Sequence, residues 1–224
     1  MHRSLIVLPD DGGKPIVDAI AAARESLRIK IFLFSDPDLL AAVVAAQQRG
    51  VKVRVMLNPA RRSGEVENSA TRAALEAAGV EVLDSNPEFD ITHEKSLVID
   101  GETAFIQSLN WETRNLTETR DFAVVTTHRH EVDEVVRCFD ADWKREQFDP
   151  GQDSHLVWCN TNGRNRVARF IDSVEDTLYL QNERYQDEVI IERLVRATRR
   201  GVKLHVLARP AHFLKKGKLV EGVE

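Results

Sequence analysis

Four polar residues between positions 93 and 110 have types and spacings suited to catalysis. His93 and Lys95 are two residues apart, and so are Ser108 and Asn110. Residues two apart on an extended chain face the same side, so each pair presents its side chains together. Asp100-Gly101, between the pairs, is a strong signal for a two-residue hairpin turn. If the flanking strands pair, the four side chains converge on one patch.

These residue types suit attack on a phosphate diester. An imidazole is a nucleophile and proton carrier near neutral pH, and an ammonium group attracts phosphate oxygens. A hydroxyl and an amide donate hydrogen bonds to an oxyanion without adding charge. This chemistry requires no metal or cofactor. A second group of ligand-type side chains is interpreted as the solvated start of a helix and not as a metal site: His128, His130, Asp133 and Glu134.

The stretch around His93 resembles the HKD motif of the phospholipase D superfamily, H-x-K-x4-D-x6-G-S-x-N. Five positions match it in register: His93, Lys95, Asp100, Ser108 and Asn110. One position departs from the pattern, because Gln107 stands where the family usually has glycine. The departure adds a side chain where the family's backbone packs closely at the phosphate pocket.

The resemblance implies a role for each residue. His93 is expected to attack phosphorus and form a phosphohistidine, while a histidine from a second motif protonates the leaving group. Asp121, at the start of a predicted strand, fits the place of an acidic residue that orients an imidazole. Asp100 is expected to be a structural brace at the turn. The side chains expected to hold the phosphate are Lys95, Ser108 and Asn110.

Alternating helices and strands surround these residues. Apolar periodicity predicts helices near residues 16–27, 37–49, 69–78 and 131–147. Strands are predicted at residues 28–34, 51–57, 80–83, 95–99, 103–107 and 121–126. The fold class that follows is α/β, with a phospholipase D-like mixed, largely parallel sheet flanked by helices.

An internal repeat divides the chain. The sequence GVKVRV at residues 50–55 returns as GVKLHV at residues 201–206, and the same offset of 151 holds without a gap from Leu5 to Ala60. The predicted organisation is a unit with the HKD motif at 1–148, a linker at 149–154 and a partial second unit at 155–224. The offset would place a second motif beyond residue 224, and His93-Glu94-Lys95 is the one His-x-Lys sequence present.

Three interpretations of the single motif remain open. Two copies could pair across a two-fold axis and each supply one motif, as small single-motif members of the family do. The sequence could be a fragment of a two-motif enzyme, which is the favoured interpretation of its architecture. Alternatively, the chain could be an inactive binder that retains a phosphate pocket. His205, expected in a buried strand, and His212 are not expected to replace the missing histidine.

Composition and charge limit the candidate substrate classes and cellular locations. The formal net charge of −5 argues against a chain-wide grip on nucleic acid, although Arg61-Arg62 and Lys215-Lys216-Gly217-Lys218 are small basic clusters. No apolar run is long enough to cross a bilayer, and no secretory signal is evident. Cys138 and Cys159 are both expected to be buried thiols. We expect a cytoplasmic protein, peripheral at the membrane, that acts on phospholipid head groups, with an HKD-family nuclease as the alternative.

Overall fold

The computed structural model describes residues 2–59 and 67–209. They divide into two compact units with the boundary between Leu156 and Val157. The basic clusters at Arg61-Arg62 and Lys215-Lys216-Gly217-Lys218, together with His212, lie outside the described residues. In the described part, no helix is both long and apolar enough to span a membrane.

A seven-stranded sheet organises the first unit. Its strands are β1 (Arg3–Leu8), β2 (Ser26–Ile31), β3 (Lys52–Leu57), β4 (Glu81–Asp84), β5 (Ser96–Ile99), β6 (Thr103–Gln107) and β7 (Asp121–Thr126). They lie in the order β1-β7-β6-β5-β2-β3-β4. The predicted α/β class, with a mixed sheet flanked by helices, is confirmed.

The expectation that most of the sheet is parallel is wrong. Only β2–β3 and β3–β4 are parallel, and the other four pairs in this sheet are antiparallel. The parallel pairs follow helical crossovers, as parallel neighbours require. From β5 onward, strands that follow each other in sequence are neighbours in the sheet and run antiparallel. The two-residue turn at Asp100-Gly101 makes β6 antiparallel to β5, and β7 then continues the same pattern.

Five helices accompany this sheet: α1 (Lys14–Ala22), α2 (Pro37–Gln48), α3 (Ser69–Ala77), α4 (Thr113–Thr117) and α5 (Arg129–Lys144). The carboxylate of Asp36 caps α2 by accepting hydrogen bonds from the backbone N–H groups of Asp38 and Leu39. Apolar side chains such as Ile20, Leu27 and Val43 are fully buried in the core. The sequence analysis did not predict β1 or α4.

The β5–β6 turn is braced by the side chain of Asp100. Asp100 and Gly101 both have positive φ, 54° and 68°, as a tight hairpin turn of this kind requires. The Asp100 carboxylate accepts hydrogen bonds from the backbone N–H groups of Arg24, Glu25 and Ser26, at 2.8–3.2 Å. It therefore ties the hairpin to the start of β2. Burial acts to raise the pKa of this carboxyl, but the three backbone hydrogen bonds outweigh it and lower the pKa.

Asp100→Asn should lower the free energy of unfolding by about 1–2 kcal/mol, because it removes the charge while keeping an acceptor. Asn also tolerates positive φ, so the turn should persist. A lowered folded-state pKa contributes stability that is present above the unfolded pKa of about 3.9 and lost as pH falls. Urea denaturation should therefore show a constant difference between wild type and variant above about pH 5, and a smaller one below about pH 4. A difference that stays unchanged into acid would contradict this account.

The second unit contains α6 (Arg164–Asp172), β8 (Thr177–Gln181), α7 (Glu188–Arg199) and β9 (Lys203–Leu207), with β8 and β9 parallel. Several of its contacts match contacts of the first unit 151 residues earlier. The Arg49 guanidinium donates to the carbonyls of Ile20 and Ala21, and that of Arg200 donates to those of Ile171 and Asp172. Helix capping matches as well, since the carboxylate of Asp187 caps α7 as that of Asp36 caps α2.

Candidate active site

His93 and Lys95 lie in the segment that leads into β5. The His93 side chain is exposed, and its ring meets that of Phe32 edge to face, with centroids 4.6 Å apart. Lys95 is buried and its ammonium donates to the His93 carbonyl at 2.6 Å. The Lys95 Nζ also lies 5.1 Å from the centroid of the Phe32 ring. Phe32 thus contacts both candidate catalytic residues.

Ser108 and Asp121 meet where β6 ends and β7 begins. The Ser108 hydroxyl donates to Asp121 Oδ1 at 2.7 Å and accepts from the Phe122 N–H at 2.9 Å. Asp121 Oδ2 accepts from the Thr119 hydroxyl at 2.6 Å and from Asn115 Nδ2 at 3.2 Å. Both carboxylate oxygens are therefore held in place by hydrogen bonds. Thr119 and Asn115 were not identified from the sequence, because nothing in their spacing marks them.

Asn110 follows two residues after Ser108. Its Nδ2 donates to Glu112 Oε2 at 3.2 Å. Its Oδ1 is buried and accepts no hydrogen bond from the residues that the structure describes. The neighbouring Trp111 is fully buried, and its backbone N–H donates to the Leu33 carbonyl. The chain at Asn110 is thus fixed against the end of β2 by its neighbour.

Gln107, the departure from the family pattern, is directed toward Trp111. Its Oε1 accepts a hydrogen bond from Trp111 Nε1 at 3.1 Å. The Ser108 hydroxyl donates instead to Asp121. The Gln107 side chain therefore has a partner different from that of the candidate phosphate-binding hydroxyl.

Burial lowers the pKa of the Lys95 ammonium to about 8, although the charges of Asp121 and Glu94 act in the opposite direction. Because the charge of Asp121 acts to raise the pKa of Lys95, the two side chains share one electrostatic environment. A buried ammonium is a strong attractor for an anion because little water screens it. It loses that role when it deprotonates.

Anion binding at Lys95 should therefore weaken as pH rises above about 8, approaching a tenfold loss per pH unit. Sulfate is a suitable probe because its own charge is constant over this range. Calorimetric titration between about pH 6.5 and 9.5 should show this alkaline decline in the wild type. Lys95→Met should bind sulfate weakly at every pH in the range. If sulfate binding by the variant declined equally at alkaline pH, a group other than Lys95 would be responsible for the decline.

Lys30, on β2, anchors the segment that carries the two candidates. Its side chain is buried, and Nζ donates to Glu94 Oε2 at 2.9 Å and to Asp142 Oδ2 at 2.6 Å. Burial acts to lower the pKa of Lys30, but the nearby acidic groups outweigh it and raise the pKa above its usual value. Because Glu94 lies between His93 and Lys95, this ion pair fixes the backbone on which both are carried.

Two groups of potential metal ligands occur among the described residues. In the first, Glu94, Cys138 and Asp142, the ammonium of Lys30 already supplies the positive charge. Burial also raises the pKa of the Cys138 thiol to about 12, which disfavours a thiolate ligand. The second group is His128, Glu131 and His155.

From the sequence, polar residues between positions 128 and 134 were interpreted as the solvated start of a helix, and the structure groups them differently. His128 and Glu131 come together with His155, whereas Asp133 pairs with Arg129 on the surface. Three further sequence expectations are corrected. Glu134 is buried and not part of a solvated helix start, Cys159 is exposed, and His205 on β9 is exposed.

Comparisons with known proteins place the first unit in a family. The model of the cardiolipin synthase, PLD-like domain matches residues 16–143. The human mitochondrial cardiolipin hydrolase is 35% identical over 138 residues, covering 60% of this chain and 51% of that protein. Cardiolipin synthase A of Pseudomonas aeruginosa (strain LESB58) is 30% identical over 162 residues, covering 70% of this chain and 32% of the synthase. The chain thus spans about half the length of the hydrolase.

Solved structures agree with this assignment. Nuc from Salmonella typhimurium, a phospholipase D family member, has a TM-score of 0.55 and 25% identity, covering 65% of this chain and 97% of its own. Polyphosphate kinase from Porphyromonas gingivalis has a TM-score of 0.71 and 21% identity over 93% of this chain and 38% of the kinase, which shows a shared fold. The chain belongs to the phospholipase D superfamily. Within it, residues 16–143 form a PLD-like domain of the cardiolipin synthase kind.

Proposed function

We propose that this chain is a phospholipase D-type phosphodiesterase or phosphatidyltransferase that acts through a phosphohistidine on His93. The observation that carries the proposal is that side chains with complementary catalytic roles are grouped within residues 16–143, the part that matches the family model. The exposed His93 imidazole and the buried Lys95 ammonium both lie against the Phe32 ring, and the charge of Asp121 acts to raise the pKa of Lys95. Asp121 in turn binds the Ser108 hydroxyl.

The proposed reaction has two displacements at phosphorus. The neutral His93 imidazole attacks, a P–N bond forms, and the bond to the leaving oxygen breaks as that oxygen takes a proton from a second histidine. Water or an alcohol then attacks phosphorus, gives its proton to the second histidine, and releases His93. Lys95, Ser108 and Asn110 hold the non-bridging oxygens, and Asp121 orients an imidazole. Asp100 is the structural brace of the hairpin.

The second histidine must come from outside the single motif of this sequence. We propose two sources, a second copy of the chain or a segment that follows the partial second unit. The contacts that recur at an offset of 151 support an origin by duplication, with units at 1–148 and 155–224 joined by residues 149–154. The match of 65% of this chain to 97% of the Nuc chain supports a domain of about the size of Nuc within this sequence.

Phospholipid head groups are the proposed substrate class. The names of two matched relatives, a cardiolipin hydrolase and a cardiolipin synthase, support a lipid diester as substrate. A cytoplasmic location, peripheral at the membrane, is part of the same proposal. The net charge of −5 also disfavours a chain-wide hold on nucleic acid. A nuclease is the second candidate, supported by the match to Nuc.

Hydrolysis of bis(p-nitrophenyl) phosphate by the purified chain tests the proposal, with molar mass measured by light scattering on the same sample. Turnover is expected from a dimer. A chain that is folded but inactive both as a monomer and as a dimer would contradict phosphodiesterase activity for this sequence and favour the alternative of an inactive phosphate-binding fragment.

The substrate class is tested separately. Activity should rise on vesicles that contain cardiolipin or phosphatidylglycerol, compared with vesicles of phosphatidylcholine alone. Cleavage of single-stranded DNA that falls steeply with added salt, with no response to vesicles, would favour the nuclease instead.

A further inference from the structure

Four of the seven histidines of the chain gather at one place in the compact unit that ends at Leu156. The rings of His128, His130 and His155 lie with centroids 5.3–5.7 Å apart in all three pairs. His2 approaches His128 edge to face at 5.9 Å. We call His128, His130, His155 and Glu131 the histidine cluster. Its members come from two segments far apart in sequence, so their meeting depends on the fold.

Buried Glu134 holds the two segments together. Its carboxylate accepts hydrogen bonds from the His155 N–H at 2.5 Å, the Leu156 N–H at 3.3 Å and the Ser154 hydroxyl at 2.8 Å. A carboxylate on α5 therefore fixes the backbone of residues 154–156. This places the His155 imidazole against the first turn of the same helix.

The ligand atoms of the histidine cluster have room for one ion. One nitrogen of His128, one of His155 and a carboxylate oxygen of Glu131 all lie within 4.8 Å of one another. Tetrahedral zinc with bonds of about 2.0–2.1 Å needs ligand atoms roughly 3.4 Å apart, so rotation of the exposed His155 ring could close the site. His128 Nδ1 is buried and has no hydrogen-bond partner among the described residues. A buried nitrogen of this kind is costly unless it gains a donor or a metal.

Glu131 supplies the carboxylate of the donor set. This carboxylate is buried, hydrogen-bonded by the Thr126 hydroxyl and paired with Arg3. The Arg3 side chain is 61% exposed and can turn into solvent to make room for an ion, whereas the Lys30 ammonium of the other group is buried. Two imidazoles and one carboxylate form a donor set that zinc and similar borderline cations favour.

We propose that His128, His155 and Glu131 bind a divalent transition metal ion such as Zn²⁺, with His130 next to them as a further imidazole. Asp121 and Thr126 stand at opposite ends of β7, which is roughly 17 Å long at 3.4 Å per residue. The histidine cluster follows Thr126, so it lies apart from the candidate active site. The bound ion would link the 154–156 segment to α5, which makes its role structural.

Calorimetric titration of the metal-free full chain with ZnCl₂ at about pH 7.5 tests the site. One Zn²⁺ per chain is expected, with a matching rise in the midpoint of thermal unfolding. His128→Ala and His155→Ala should each weaken binding by at least about tenfold. Circular dichroism without zinc should show that both variants remain folded.

His93→Asn and His205→Asn are the controls, because both replace exposed histidines outside the histidine cluster. Both should bind Zn²⁺ as the wild type does. Loss of binding in His93→Asn would move the metal to the candidate active site and overturn the proposal. Wild-type affinity in folded His128→Ala and His155→Ala, or no stoichiometric binding by the wild type, would also overturn it. Each of these readouts is independent of catalytic turnover.

Discussion

His93→Asn should reduce hydrolysis of bis(p-nitrophenyl) phosphate by at least about 10⁴-fold, because loss of a covalent nucleophile removes the reaction path. Asparagine keeps a polar side chain of similar size, and His93 is exposed, so the fold should be unaffected. Initial rates at saturating substrate give the comparison. His205→Asn, a change at another exposed histidine, should keep wild-type activity. A His93→Asn variant with more than about a tenth of the wild-type rate would exclude His93 as the nucleophile.

Mixing the wild type with His93→Asn tests whether the second histidine comes from a second copy of the chain. If two chains share one site and each supplies His93, a mixed dimer is inactive. Equal amounts of wild type and His93→Asn, after exchange of subunits, should then retain about one quarter of the activity of an all-wild-type sample of the same total concentration. Chains that act independently would retain about one half. The second result would exclude a shared site.

Lys30→Met should lower the free energy of unfolding by about 3–5 kcal/mol, because it leaves Glu94 and Asp142 without the buried cation that pairs with both. Methionine preserves the length and apolar packing of the stem. Since a whole domain is stable by only about 5–15 kcal/mol, the first unit should approach unfolding. Urea denaturation followed by circular dichroism measures the shift.

Lys14→Met is the matched control. Lys14 also pairs with an acidic residue, Asp18, but both side chains are exposed. Its removal should change the free energy of unfolding by less than about 1 kcal/mol. Lys30→Met combined with Asp142→Leu should recover part of the loss, because one uncompensated charge is then removed. If Lys30→Met and Lys14→Met lowered the free energy of unfolding equally, burial would not make the ion pairs of Lys30 more important for stability.

The elements that carry the candidate site could be predicted because their signals are local. The turn at Asp100-Gly101 fixed both strands of the hairpin, and alternation marked β7 at Asp121–Thr126. Helix α2 was marked by the cap at Asp36 and by Gly50 after its end, whose φ of 91° suits glycine. Such signals involve residues a few positions apart, so the sequence alone reveals them.

Features that depend on distant pairing could not be predicted. The sequence marks strands but not their neighbours, so the extent of antiparallel pairing was underestimated. Strand β1 was missed because its short apolar stretch has no partner nearby; it pairs with β7. Lys30 was not singled out from the sequence, because only the fold brings it together with Glu94 and Asp142. His155 gave no sign of meeting His128 for the same reason.

The pairing of β1 with β7 has a consequence for synthesis. Arg3 lies opposite Thr126, so β1 leaves the ribosome more than 120 residues ahead of this partner on β7. At 5–20 residues per second, that delay is at least about 6 s. During that time, apolar residues such as Ile6 and Leu8, which are buried in the finished fold, have no sheet to join. We therefore expect β1 to need protection by chaperones during this interval, and to be among the last strands incorporated into this sheet.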